Sequence, residues 1–352
     1  MPALLSPIVS TRPSSSMPRR RSLTGLALLA GLSLALTACS SPASDDTPAA
    51  TSSATQSETA ASGLLENCGF SVASGDAPER VVTIKSSTTE ALIALGLGDR
   101  IVGVAFQDGP VPESLGTIPE LNVIDPKMPG AEAVLGLEPD FIFAGWESAF
   151  AADAIGTRQE LADLGVRSYV WPAACMTEGS VPESVSFDDI GAAITEVAEL
   201  FDVDAASVLA DQAAALDSVT VNDDGLSALW WSSGTDTPYV GAGGGAPELM
   251  METVGLRNIA SELPGGWSPY GWESVIAANP DVLVLVDSDW NSAANKIAYL
   301  TADPVLSQLE AVKAGKFLIV PFAASEAGVR TASATATMSE DLAELVALAD
   351  ES

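Results

Sequence analysis

Two glutamates occupy matching positions in two similar segments of the sequence. Glu132 lies eight residues before Asp140, Glu273 lies eight residues before Asp281, and each aspartate follows a proline. The two glutamates are 141 residues apart, and so are the two aspartates. Each segment predicts a short helix with the glutamate in its first turn, where the helix dipole favours negative charge, then a proline-induced stop and a buried strand. Because this spacing exceeds the roughly 20 to 50 residues of stacked repeats, we expect two similar lobes that each carry one such carboxylate.

Two basic residues, Lys85 and Arg330, come after apolar strands, at the carboxyl ends where open α/β sheets bind ligands. In so acidic a protein, two cations that converge on a cleft would suit a phosphate or a carboxylate. The alternative is that each cation pairs with a neighbouring acid. Nearby strand-end loops carry four polar residues that could hydrogen-bond the same ligand, although helix capping explains the serines equally well: Ser86, Ser87, Gln107 and Asp108.

Four aromatic residues lie at or near predicted strand ends, where they could stack on a flat conjugated ligand. Packing in the protein core is the alternative for each of them. They are Trp146, Trp231, Tyr239 and Trp290. The glycine-rich run Gly241–Ala246 superficially fits a dinucleotide-binding loop, and we interpret it as a tight turn that lets a ligand approach the backbone.

The sequence contains no histidine, which excludes Ser-His-Asp and Cys-His catalysis and zinc sites held by histidine. No G-x-S-x-G motif is present either. We therefore expect no catalytic residue, no metal site and no cofactor. A glycosidase that uses Glu132 and Glu273 as a carboxylate pair stays formally open, but equivalent positions on two lobes suit a symmetric partner better than an asymmetric reaction.

The first 38 residues have the layout of an export signal. Arg19, Arg20 and Arg21 precede an apolar stretch that ends at Ala38, and this stretch is short for a membrane span. The residues before Cys39 resemble the lipobox of bacterial lipoproteins, which implies acylation of Cys39 and anchoring at the extracytoplasmic face of the cell membrane. The export route, general or twin-arginine, and the start codon, Met1 or Met17, stay open.

The rest of the chain carries 11 basic and 47 acidic residues, a formal charge of −36. This charge excludes nucleic acid and anionic membrane surfaces as partners. Residues 39–66 are rich in Ser, Ala, Thr and Pro and predict a flexible stalk.

The body that follows alternates predicted strands and short helices, a pattern typical of α/β folds with mainly parallel sheets. We expect a first lobe at 67–186, connecting helices at 187–219 with a break near Asp202, and a second lobe at 220–352. Ser87 and Glu90 predict a capping box at the start of the first helix. Short helical patterns also occur at 304–309 and from Met338 onward.

The residues from Arg80 to Gly103, the two Glu/Pro-Asp segments and Gly255-Leu-Arg-Asn258 together resemble the iron-siderophore and cobalamin substrate-binding proteins of ABC importers. The resemblance implies two Rossmann-like α/β lobes, mainly parallel sheets, a rigid helical connection and a ligand cleft between the lobes. It also implies that Glu132 and Glu273 dock onto a permease dimer, which works with its ATPase. We expect a monomer that binds a small molecule.

Four segments are similar to a subfamily proposed to import a precursor of the deazaflavin coenzyme. They are Lys85-Ser86, 145–148, 237–245 and 321–330. Siderophore, cobalamin and deazaflavin precursor all stay open as ligands, and a lipoprotein that senses its ligand without transporting it is the functional alternative.

Cys68 and Cys175 are the two thiols that remain if Cys39 is lipidated. In an oxidising extracytoplasmic compartment we expect such a pair to form a disulfide, with a metal-binding or redox pair as the alternative. We predict that intact-mass analysis of the native protein finds no free thiol, and that replacing both cysteines by serine lowers the free energy of unfolding by about 2–5 kcal/mol. Two free thiols in the native protein would contradict the disulfide.

Overall fold

The computed structural model describes residues 64–350, which form two α/β lobes joined by a pair of helices. The signal peptide, Cys39 and most of the predicted stalk lie outside these residues. The first lobe contains the following elements in chain order: β1 (Leu64–Asn67), β2 (Phe70–Ala73), β3 (Val81–Ile84), α1 (Ser86–Ala94), β4 (Ile101–Ala105), β5 (Val123–Asp125), α2 (Ala131–Leu135), β6 (Phe141–Ala144), α3 (Arg158–Asp163) and β7 (Arg167–Val170).

The first lobe is built on a five-stranded parallel sheet with the order β5-β4-β3-β6-β7. The chain runs from β3 outward through β4 and β5, and then returns to the other side of β3 with β6. Such a reversal of strand order opens a crevice at the carboxyl ends of the central strands. Strands β3 and β6 are buried along their whole length, and the continuous apolar sequence of β6 predicts this.

Two connecting helices follow, α4 (Phe187–Leu200) and α5 (Ala206–Asp217), and the break between them agrees with the sequence. Ser186 and Asp189 form a capping box at the start of α4. The apolar face of α4 packs into the core of the first lobe, whereas α5 packs against the C-terminal helix of the second lobe. Helix α5 also places Val208 in the same core cluster as α4, so it contacts both lobes.

The second lobe has the following elements: β8 (Ser227–Ser233), β9 (Tyr239–Gly241), α6 (Ala246–Thr253), β10 (Arg257–Asn258), β11 (Trp267–Pro269), α7 (Trp272–Ala278), β12 (Val282–Asp287), α8 (Ala293–Ala302), α9 (Glu310–Lys313), β13 (Phe317–Pro321) and α10 (Thr331–Asp350). Its sheet has the order β11-β9-β8-β12-β13, with β10 beside the start of β8. Strands β10, β8, β12 and β13 are parallel, while β9 and β11 add an antiparallel edge.

The repeated segments form equivalent units, helix α2 with strand β6 and helix α7 with strand β12. Asp140 accepts hydrogen bonds from the backbone N–H groups of Glu79 and Arg80, at 2.9 and 3.0 Å, just before β3. Asp281 accepts hydrogen bonds from the backbone N–H and the hydroxyl of Ser227, at 2.8 and 2.6 Å, at the start of β8. In both lobes the aspartate thus fixes the amino end of the neighbouring strand.

Glu132 and Glu273 both lie in the first turn of their helices and are exposed to solvent. The aspartates of the repeated segments are thus engaged in the fold, whereas the glutamates point to solvent at equivalent places on the two lobes.

A hairpin of β1 and β2 was missed from the sequence, and it places residues 64–66 in the folded body rather than in the stalk. The turn of this hairpin carries Cys68, which forms a disulfide with Cys175 beyond the end of β7. The Asn67 side chain exchanges two 2.8 Å hydrogen bonds with the backbone of Val170. Arg158 adds hydrogen bonds to the carbonyl and side-chain oxygens of Asn67, so the hairpin is fastened to the edge of the first sheet.

Three helix predictions were wrong. Helix α1 has no capping box, because Ser87 lies inside the helix and the Glu90 side chain is paired elsewhere. The predicted helix at 304–309 is only a short 3₁₀ turn, whereas α8, which Ser292 caps, was missed. The terminal helix begins at Thr331 rather than near Met338. Within residues 64–350 no helix combines the length and apolar character needed to cross a membrane.

The bond between Asp281 and Ser227 should be visible in the pH dependence of stability. Burial acts to raise the pKa of Asp281, but the hydrogen bonds from Ser227 and the charges of Lys316 and Arg257 outweigh it and leave the pKa lowered. The ionised group therefore stabilises the fold above the pKa of the unfolded chain, and this contribution is lost as the pH falls through the folded pKa. We predict that Asp281→Asn lowers the free energy of unfolding by about 1 kcal/mol at neutral pH.

Urea unfolding followed by tryptophan fluorescence between about pH 7 and pH 3 measures this effect. The difference from the unsubstituted protein should shrink as the pH falls. Asp223→Asn, which neutralises an exposed acid in the loop before β8, is the matched control. Equal effects of the two substitutions would contradict a specific role for Asp281.

Candidate ligand-binding cleft

A cleft of about 480 Å³ lies between the two lobes, within the size range of small-molecule sites. The first lobe contributes residues that follow β6 and β7, and the second lobe contributes residues around β9, β11 and β13. Small residues of the glycine-rich turn, including Gly244 and Gly245, form part of the wall, as the interpretation of that turn as a ligand-approach site requires. Five aromatic side chains also line the cleft: Trp146, Tyr239, Trp267, Trp290 and Phe322.

Four of these aromatics, Tyr239, Trp267, Trp290 and Phe322, come from the second lobe and form what we call the aromatic wall. Tyr239 and Trp267 stack with their ring centroids 6.3 Å apart, and Trp267 and Phe322 stack at 6.1 Å. Trp290 meets Phe322 edge to face at 5.3 Å. Tyr239 and Trp290 are 43% and 45% exposed, so flat apolar surface is available to a ligand.

The loop that carries Trp290 is held by a buried lysine. The ammonium group of Lys296 donates to the carbonyl oxygens of Val286 and Asn291, at 2.6 and 2.8 Å, on either side of this loop. Burial lowers the pKa of Lys296 to about 8, against the opposing effect of Asp287. Lys296 thereby fixes the position of Trp290 at the cleft.

Lys85 lies at the carboxyl end of β3, as predicted, but its side chain is fully buried. Its ammonium nitrogen is 4.5, 4.2 and 4.6 Å from the ring centroids of Phe106, Trp146 and Phe322. It also forms an ion pair with Asp108. The charge of Lys85 is thus compensated by an acid and by three aromatic faces. This agrees with the alternative interpretation, in which Lys85 pairs with a neighbouring acid.

The backbone around Lys85 is unusual for a residue with a side chain, with a φ of +83°. Gly145 runs beside it at the end of β6, where a Cβ atom would approach the Ser87 hydroxyl to 2.7 Å and the Lys85 Cβ to 2.9 Å. Only glycine therefore fits at position 145 without moving Lys85 or Ser87.

Asp108 connects the two lobes. One of its carboxylate oxygens, Oδ1, accepts from Lys85 and from the Trp290 indole N–H at 3.3 Å, and its backbone carbonyl accepts from Asp289 at 3.1 Å. The Ser86 hydroxyl accepts from the backbone N–H of Asp108 at 2.8 Å. The other carboxylate oxygen of Asp108, Oδ2, is buried without a protein partner.

Glu326 is a cleft-lining acid of the second lobe that the sequence did not single out. Its Oε1 accepts from the Trp146 indole N–H at 2.6 Å, and its Oε2 accepts from the Ser87 hydroxyl at 3.2 Å, both on the first lobe. Burial raises the pKa of Glu326 to about 7. The positive charge of Lys85 and the two hydrogen bonds oppose this rise, while the charge of Asp108 adds to it.

Arg330 is not part of the cleft lining. Its guanidinium donates to both carboxylate oxygens of Glu90, at 2.8 and 2.5 Å, and to the carbonyl of Pro110 at 2.9 Å. Burial raises the pKa of Glu90, and the hydrogen bonds and charge of Arg330 oppose that rise. Both predicted ligand cations are therefore paired with acids, which corrects the expectation that they face the ligand.

The residues from Phe322 to Arg330 form a segment that we call the interlobe strap. It leaves the second sheet after β13 and contacts the first lobe at three places. Glu326 bonds to Ser87 and Trp146, the carbonyl of Ala327 accepts from the Trp171 indole N–H at 2.8 Å, and Arg330 bonds to Glu90. The strap thus carries polar contacts across the junction beside the cleft.

Trp231 was wrongly assigned to the ligand. It is buried in the core of the second lobe, where it packs against Trp272 at 5.0 Å and Tyr299 at 5.9 Å. Its indole N–H donates to the carbonyls of Ser233 and Gly234 rather than facing the cleft.

Three of the predicted aromatics, Trp146, Tyr239 and Trp290, do line the cleft. The four predicted polar residues do not line the cleft: Ser86, Ser87, Gln107 and Asp108. The side-chain amide of Gln107 donates to the carbonyl of Ala105. Phe322 and Glu326 fall in a segment that the sequence had marked, whereas Trp267 lay in an unassigned loop. Its position directly after two glycines, at the first residue of an edge strand, was the available signal.

The chain is 25% identical over 220 residues to "Uncharacterized ABC transporter substrate-binding lipoprotein YvrC" of Bacillus subtilis, a match that covers 60% of this chain and 64% of that protein. It is 27% identical over 236 residues to "Cobalamin-binding protein" of Halobacterium salinarum, covering 62% and 59%. The chain thus spans less than two thirds of the length of these relatives.

The fold is that of a periplasmic binding protein from Veillonella parvula, with a TM-score of 0.69 at 24% identity, over 79% of this chain and 96% of the other. The family model described as "Periplasmic binding protein" matches residues 81–324, well over half of the chain. The protein therefore belongs to the periplasmic binding protein family.

Proposed function

We propose that the protein is an extracytoplasmic binding protein that captures a bulky conjugated ligand in the interlobe cleft and delivers it to an ABC importer. The observation that carries this proposal is the aromatic wall, whose exposed rings, Tyr239 and Trp290, face a cleft of about 480 Å³. Stacking on such rings is an effective way to hold a flat ligand.

The size of the available space supports a bulky ligand. A second cavity of about 540 Å³ lies beside the disulfide, and it shares lining residues with the cleft. The shared residues are Ala173, Cys175, Pro182, Val185 and Ala327. A ligand with a flat head and a long appendage would fit both spaces.

The names of the relatives support the class of ligand and the partner. One relative is named as a substrate-binding lipoprotein of an ABC transporter and the other as a cobalamin-binding protein. We propose three candidate ligands for this protein: cobalamin, a ferric siderophore and the deazaflavin coenzyme precursor. We also propose lipid anchoring through Cys39, which would keep the protein near its permease.

The absorption spectrum and native mass of protein purified from its own host test the ligand. A corrinoid, a ferric siderophore and a deazaflavin differ in their visible spectra, so a bound molecule of any of the three is recognised directly. We expect one of these spectra, and titration of the emptied protein with the same compound should restore it. Protein without a ligand that also fails to bind all three compounds would refute this part of the proposal.

The identified ligand should depend on the aromatic wall. We predict that Tyr239→Ala and Trp290→Ala each weaken its affinity by about tenfold, because each removes one stacking surface. Isothermal titration calorimetry measures the change. Leu164→Ala, which truncates an exposed apolar side chain on the first lobe, should leave the affinity unchanged. Unchanged affinity in both aromatic variants would show that the ligand lies elsewhere.

The two equivalent glutamates suit a two-fold permease that carries cations. We predict that the double substitution Glu132→Ala and Glu273→Ala preserves folding and ligand affinity, because each exposed carboxylate contributes only up to about 1 kcal/mol through its helix dipole. Ligand uptake by proteoliposomes that contain the permease and ATPase should be lost, and each single variant should lose part of it.

A charge-matched double variant, Glu199→Ala with Glu340→Ala, removes two exposed acids from other helices and controls for net charge. Full uptake by the Glu132/Glu273 variant, or loss of its ligand binding, would contradict docking. A sensor without transport is the alternative function, and the absence of permease and ATPase genes beside this one would favour it.

A further inference from the structure

The cleft has a distinct electrostatic character. Glu326 is the one acidic or basic side chain among its lining residues in the described part of the chain. No lysine or arginine from residues 64–350 lines it, although the chain as a whole contains 15 of these residues. A ligand in the cleft therefore meets aromatic faces, small residues, serine hydroxyls and one carboxyl group.

Lys85 does not give the cleft a positive charge. Lys85 is paired with Asp108 and enclosed by the rings of Phe106, Trp146 and Phe322. When Glu326 is ionised, the three charges of Lys85, Asp108 and Glu326 sum to −1. An anionic group on the ligand would face this unbalanced charge, whereas the aromatic faces and the carboxylate both attract a cation.

Glu326 also retains hydrogen-bonding capacity. A carboxylate offers about four acceptor positions, and Glu326 uses one on each oxygen, for Trp146 and for Ser87. The residue is half-buried and lines the cleft beside the aromatic wall. The bonds from Trp146 and Ser87 hold the carboxyl group in place before a ligand arrives.

We propose that the cleft selects a planar conjugated ligand that presents a positive charge or a hydrogen-bond donor to Glu326, and that it discriminates against an anionic group at this position. This inference rests on the proposed function, since it concerns the same cleft. It assigns Glu326 as the residue that determines the charge preference of the site.

The ionisation of Glu326 gives the selection a pH dependence. Its pKa is raised to about 7 by burial, and the charged groups that act on it are Lys85, which opposes the rise, and Asp108, which adds to it. The carboxylate form therefore grows as the pH increases from 6 to 8 around this value. Affinity for a planar cation should rise over this range.

Two planar three-ring dyes serve as probes: proflavine, a cation with amino donors, and resorufin, an anion. Fluorescence titration of the full-length protein is performed at about 0.5 M salt, which screens attraction to the acidic surface. At about pH 8, above the pKa of Glu326, we expect proflavine to bind at least about tenfold more tightly than resorufin. Glu326→Gln should remove this preference, while Glu340→Gln, which neutralises an exposed acid on α10, should retain it.

The pH dependence of proflavine binding is a second readout. The affinity of the unsubstituted protein for proflavine, which stays a cation throughout, should increase with pH, and that of Glu326→Gln should not. Equal or tighter binding of resorufin, or a preference that survives in Glu326→Gln together with a flat pH profile, would overturn the inference. If dye binding depends on Tyr239 and Trp290 yet shows no charge preference, the cleft still binds planar ligands and only this inference fails. If neither dye binds, both the inference and the proposed planar-ligand site fail.

Discussion

The buried ion pair between Lys85 and Asp108 is the interaction on which the cleft depends. A buried ammonium group is costly unless it is compensated, and here an acid and three aromatic rings share that task. Two of these rings, Trp146 and Phe322, also line the cleft, and Asp108 additionally receives the indole N–H of Trp290. The positions of Trp146, Phe322 and Trp290 are therefore linked to the same buried charge. Such an arrangement fixes the positions of the rings before any ligand enters.

Much of the fold could be predicted because it depends on local sequence patterns. The apolar runs of β3, β6 and β12, the break between α4 and α5, and the two Pro-Asp segments each depend on residues that are close in sequence. The α1 capping box failed because Ser87 and Glu90 are bound by residues more than 200 positions away. Local sequence carries no information about such partners.

The candidate site was only partly predictable for the same reason. Lys85 and Arg330 were correctly seen as unusual cations, but the acids that neutralise them become neighbours only when the chain is folded. Trp231 was misassigned because β8 is buried on both faces, so alternation along the strand does not distinguish a core position from a cleft position. Glu326 lies in the marked segment 321–330 but was not singled out within it, and its position became visible only through its contacts with Trp146 and Ser87.

The fastening of the β1–β2 hairpin has a mechanical consequence. Force applied to the chain before Leu64 enters the fold at this hairpin, which the disulfide, Asn67 and Arg158 join to the edge of the first sheet. The load therefore passes through a covalent bond and a group of buried hydrogen bonds into the first lobe. The interlobe strap and the second lobe lie off this path. Tension on the N-terminal segment would therefore be borne first by the edge of the first lobe, and it would reach the cleft through the wall that contains Cys175.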